Sequence, residues 1–159
     1  MKTIILTILA SFAALTSTTL ANPEDEVKKL AESLRGNKEA LMKLKPTARQ
    51  IAEIAANDED AKALSAYVEQ LFASIPAAGI NWKPGQTEIL VYSGQIGETS
   101  EDSLPGGYTR YAAHFKNGVA IYGFKYVVPG ETAGMAFDGL VKLGEGWVMI
   151  PKAWHAFEK

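Results

Sequence analysis

The sequence predicts an α+β fold, with N-terminal helices packed on a C-terminal antiparallel meander sheet. Two observations carry this. Apolar residues recur at helical spacing from Asn22 to Ile75 and stop at Pro76. From Thr87 onward they alternate, and turn signals stand at Asn117-Gly118, Pro129-Gly130 and Gly144-Glu145-Gly146. Helices first and hairpin-linked strands afterwards is the α+β order.

The chain starts with a different kind of segment. Lys2, the apolar run Ile4–Leu15 and the small residues Thr19 and Ala21 form the three parts of a secretory signal peptide. Residues 1–21 are therefore expected to be removed by cleavage after Ala21, which leaves residues 22–159 as a single α+β domain. The apolar run is shorter than the roughly 20 residues a bilayer span needs, so no stable membrane anchor is expected after cleavage. The chain has no cysteine. That excludes a lipid anchor on sulfur, disulfides, thiol chemistry and cysteine-ligated metals. The formal charge of −2 gives no electrostatic footprint for nucleic acid. The expected location is periplasmic or secreted.

Asn22 is suited to cap the first helix, Pro23 to open it, and Glu24, Asp25 and Glu26 to load its first turn. Val27, Leu30, Ala31 and Leu34 form its apolar stripe, and Gly36 closes it. A short helix follows over Lys38 to Leu44. Thr47 suits the cap of a third helix that carries Ile51, Ile54 and Ala55. A fourth begins after Asn57-Asp58 and places Ala61, Leu64, Val68, Leu71, Phe72 and Ile75 on one stripe. Ile89 and Val91 mark the first strand. Residues 94–107 read as a long polar loop, expected to fold across the sheet's polar face. Trp147, Met149 and Ile150 complete the sheet. The aromatic tail of Trp154, His155 and Phe157 is expected to fold back on the body.

Pro105-Gly106-Gly107 reads as a turn that opens a strand over 108–116. It lacks the strand-to-helix context of a phosphate loop. With Asn117-Gly118 as a two-residue hairpin turn, Tyr111 faces Phe124 and Phe115 faces Ala120. A Pro129-Gly130 turn sets Tyr122 opposite Phe137 and Phe124 opposite Met135. Both turns then put Tyr111, Phe115, Tyr122, Phe124, Met135 and Phe137 on the core side.

The other side gathers Tyr108, Arg110, His114, Lys125 and Asp138. In this register Arg110 faces Lys125, a like-charge pair that a sheet tolerates poorly. Small residues Ala112, Gly123 and Ala136 floor the space between that pair and a row of His114 and Asp138. These five residues are the candidate ligand-binding set, and the ligand they suit is a small anion or carboxylate. The same charges also suit a solvated outer face, or neutralisation by Glu98, Glu101, Asp102 or Asp138. His114 with Asp138 has the form of an oriented base, but the chain carries no GxSxG, SxxK or HExxH to complete a catalytic set. No cofactor or metal is expected. The sequence reads as an exported, non-catalytic module that binds a ligand or a protein partner, of open oligomeric state.

The closing hairpin, "DG-LVKL-GEGW-VMI", resembles the last hairpin of the nuclear transport factor two-like (cystatin-like) α+β proteins. "LPGGYTRYAAHF", "YGFKYVVPGETAGMAFDGL" and "GWVMIPKAW" are similar to stretches of uncharacterised exported bacterial proteins. The first resemblance implies a pocket between the helices and the concave sheet face, with Tyr111, Tyr122 and Tyr126 inside it. It also supplies the alternative function: a small enzyme with an aromatic cavity, using Tyr122 or Asp138 as acid/base.

Overall fold

The structure is a computed structural model, and it describes residues 22–98, 104–144 and 146–158. The expected signal peptide, together with Glu101 and Asp102 of the polar loop, lies outside the described residues. The architecture is α+β, with a four-stranded antiparallel sheet in sequential order.

Each of the first four helices starts where a side chain can take up a free amide. The Asn22 carboxamide accepts from Glu24 N at 3.2 Å and opens α1 (Pro23–Leu34). Asn37 opens α2 (Lys38–Met42) in the same way. Thr47 and Gln50 form a reciprocal capping box at α3 (Ala48–Ile54). Asn57 caps α4 (Asp58–Ala73). The strands are β1 (Glu88–Gln95), β2 (Ala120–Val127), β3 (Gly134–Leu143) and β4 (Gly146–Met149).

Both faces of the sheet are covered, by different helices. On one face Phe124, Tyr126, Leu140 and Met149 pack against Val27, Ala31 and Leu34 of α1 and Leu41 of α2. On the other, Ile121, Val141, Val148 and Ile150 pack against Ile51 and Ile54 of α3 and Leu64 and Val68 of α4. This explains the unbroken buried run from Asp138 to Val141 in β3, which a one-sided meander strand would not show. Glu26 of α1 closes the first face. It accepts Lys142 Nζ at 2.8 Å on both oxygens and Trp147 Nε1 at 2.8 Å.

The stretch 108–116 is not a strand. Gly106–Arg110 is a short helix, α5, and Ala112–His114 is a 3₁₀ turn. The partner of β2 is β1, with Lys125 paired to Leu90 on one side and Ala136 on the other. Arg110 and Lys125 are therefore not cross-strand neighbours. Tyr108, Tyr111 and Phe115 all turn toward the same cluster, with Tyr111 half-buried. Tyr108 and Phe115 are buried in the cluster under α3 and α4, on the opposite sheet face from Phe124. Asn117-Gly118 does turn the chain, with Gly118 at φ +79°, but it folds onto the end of β1. Gly118 N donates to Ile96 O at 2.9 Å, and Ile96 N to Val119 O at 2.9 Å.

The β2–β3 hairpin is offset by two residues from the expected register. Val127 pairs with Gly134, so the connection is a six-residue loop rather than a two-residue turn. An offset of two keeps every side chain on its face. Tyr122, Phe124, Met135 and Phe137 do share the side toward α1. A bulge then interrupts β3, as Phe124 pairs with Phe137 but Tyr122 with Leu140. Gly139 sits there at φ +85°, where a Cβ would strike the Ile150 carbonyl. Beyond the bulge β4 pairs only with Leu140–Leu143. Before it, Gly134–Asp138 has β2 on one side and, among the described residues, no strand on the other.

The aromatic tail folds back as expected. Ala153–Phe157 is a 3₁₀ turn against α4 and α5. The Trp154 ring fills the space where a Cβ of Gly107 would point.

Candidate functional site

The apolar pocket lies where α4 runs out. Its stripe continues past the helix as Ile75 and Pro76, and the chain then crosses Gly79, Ile80 and Asn81 toward the sheet. Leu41, Leu71 and Phe72 form the helical wall, and Met135, Phe137 and Met149 form the sheet wall. Pro151 closes one end. The cavity measures about 290 Å³ and is open on one side. Asn81 is the only lining residue with a polar side chain, and none of the lining side chains is ionisable. The sequence assigned Leu71, Phe72, Ile75, Met135 and Phe137 to the core; Phe72 is buried, and the other four are half-buried. What periodicity does not show is that helix and sheet part company at this point.

The pocket implied by the resemblance would hold Tyr111, Tyr122 and Tyr126. None of them lines this one. Tyr126 is fully buried, its hydroxyl donating to Ala31 O at 2.5 Å. Tyr122 stands edge-on to Trp147, and Tyr111 belongs to the opposite face.

The five residues proposed from sequence are not one site. Two of them meet. The buried Tyr108 hydroxyl donates to Asp138 Oδ1 at 3.0 Å, and Lys152 N donates to the same oxygen at 2.7 Å. Lys152 adopts the left-handed φ of +50° to make that contact. Burial pushes the Asp138 carboxyl above the usual carboxylate range, and the two donors only partly oppose it. Arg110 is exposed at the end of α5. Lys125 lies 5.9 Å from the Tyr92 ring centroid. Among the described residues Glu98 pairs with neither cation.

His114 pairs with Asp60 and not with Asp138, because the 3₁₀ turn carries it to α4 rather than to the sheet. Its Nδ1 is 2.7 Å from Asp60 Oδ1, and Asn57 Nδ2 holds the other carboxylate oxygen at 2.6 Å. The ring stacks on Phe157 at 4.3 Å. His114 lines an open groove together with Glu59, Tyr111 and Glu158. No serine or threonine lines that groove. No group of three or more possible metal ligands occurs among the described residues.

No protein-family model, curated protein or solved structure matches this chain.

Proposed function

We propose that this protein is an exported, non-catalytic binding module whose site is the apolar pocket between the end of α4 and the sheet. One observation carries the reading: a pocket of about 290 Å³ with no ionisable side chain in its wall. Such a wall can desolvate an apolar group but can neither move a proton nor stabilise a developing charge. The size is at the small end for ligand pockets and suits one ring or one branched aliphatic group. The anion expected from sequence relied on Arg110 facing Lys125. With that pairing gone, the ligand's anchoring part is apolar.

The pocket is tested by thermal shift with small apolar probes such as indole and n-butylbenzene. A probe at a hundred times its Kd adds about 2.7 kcal/mol, or about 5–10 °C for a chain of this size. Met135→Trp fills the pocket from its half-exposed sheet wall and is expected to abolish the shift. Equal shifts in both proteins would place binding elsewhere.

Export rests on the pattern of Lys2, Ile4–Leu15 and Ala21. The Asn22 cap fits a mature chain that begins there, since its own side chain takes up Glu24 N. Mass spectrometry of protein from the native host is expected to find Asn22 at the amino terminus. Recovery of intact Met1 from an extracytoplasmic fraction would overturn export with cleavage.

A further inference from the structure

The apolar pocket and the open stretch of β3 are one feature. Met135 and Phe137 line the pocket and also belong to Gly134–Asp138, which has no strand beside it among the described residues. The ladder on that side ends at Ile150 N, which donates to Gly139 O at 2.8 Å, and Pro151 then takes the chain away. In an antiparallel strand, alternate residues turn both N–H and C=O to each side, so the open side presents main-chain groups that no described strand pairs, while Phe137 O accepts from the Tyr92 hydroxyl. Sheets usually blunt such an edge with lysine, proline or an inward charge. Gly134-Met135-Ala136-Phe137 has none of these until the bulge at Asp138 and Gly139.

An apolar small molecule would satisfy the pocket and leave that edge unpaired. A strand satisfies both, because main-chain pairing along the edge sets a side chain over the pocket at every second residue. We infer that an extended peptide segment of a partner protein adds to Gly134–Phe137 in line with β4 and places one bulky apolar side chain in the pocket. The inference rests on the apolar pocket being the binding site. It names the occupant's chemistry as apolar residues alternating with polar ones, with free amides on one edge.

The probe is a synthetic capped peptide in which leucine alternates with threonine between terminal lysines. Two further versions carry N-methyl groups on one or the other alternate set of amides. Calorimetry on the mature chain is expected to find binding by the unmodified peptide. One methylated version should lose about ten-fold or more, since two backbone hydrogen bonds are removed. Hydrogen exchange at Gly134–Phe137 should slow when the unmodified peptide binds. Equal binding by all three peptides, with exchange at those amides unchanged, overturns strand addition and leaves the apolar pocket standing. Binding of indole but of no peptide does the same. Binding of neither brings down both readings. A homodimer that protects the same amides without peptide assigns the edge to a second copy and overturns the partner.

Discussion

Asp138 is the residue whose setting departs most from its chemistry. A buried carboxyl accepts two hydrogen bonds on one oxygen, and burial still raises its pKa. A carboxyl whose folded pKa is raised contributes stability that is present below the unfolded value, near 4, and is lost as pH rises through the folded value. Folding therefore disfavours the ionised form relative to the unfolded chain. A carboxamide in its place would keep an acceptor for Tyr108 and Lys152 and remove the charge. Asp138→Asn is expected to stabilise the fold at pH 7 on the order of 1 kcal/mol, and to change nothing below about pH 3.5. Thermal melts at the two pH values check this. A loss of stability at pH 7 would mean that the carboxylate has a favourable partner at its second oxygen.

At the level of elements, β3 is the part on which the others depend. Its bulge re-aims the strand so that Phe137 and Leu140 both reach the face under α1, while Asp138 and Val141 reach the other. The bulge needs Gly139, both for its φ of +85° and for the approach of the Ile150 carbonyl. Gly139→Ala is expected to cost at least about 2 kcal/mol by denaturant unfolding. The bulge also ends the edge, so the same change should disturb the exchange of the amides from Gly134 to Asp138. A variant as stable as the parent would show that β3 can straighten without loss.

Legibility in the sequence followed how local the determinants are. The first four helices were readable because caps and stripes are fixed by residues a few positions apart, as with Thr47 and Gln50 or Leu64 and Val68. The shared face of Tyr122, Phe124, Met135 and Phe137 was readable because an error of two in the register preserves it. The stretch 108–116 was misread because aromatic and small residues there fit either period. What decides between them is distant: Ala55 bridges Phe115, Lys116 N donates to Ile54 O, and Trp154 packs on Gly107. With that stretch misplaced, Arg110, His114 and Lys125 were gathered into a site the fold does not make. The apolar pocket was not readable as a pocket, since a lining residue and a core residue carry the same sequence signal.

At the scale of the molecule, three tyrosine hydroxyls fasten elements that are not neighbours in the chain. Tyr67 donates to Pro151 O at 2.8 Å and ties α4 to the segment after β4. Tyr92 donates to Phe137 O at 2.9 Å, and Tyr126 ties β2 to α1. Burial first, aided by Asp138 at Tyr67 and Tyr92, pushes all three up to about 12. For these groups stability is present below the unfolded pKa of about 10 and is lost as pH rises through about 12. Tyr108, buried beside Asp138, is pushed up as well, so tyrosinate absorbance should show four slow or late ionisations that coincide with loss of the far-ultraviolet circular dichroism signal. Complete ionisation near pH 10 with the fold intact would contradict the buried fastening.

The Tyr92 fastening has a consequence for descent. Its ring reaches β3 only by lying over Gly123 of the strand between, in the space any side chain there would need. Neither position can change by itself without loss. A larger residue at 123 evicts the ring, and a smaller residue at 92 opens a trough across the middle of the sheet. Lineages of this protein should therefore carry the two positions as a linked pair, altered together or not at all.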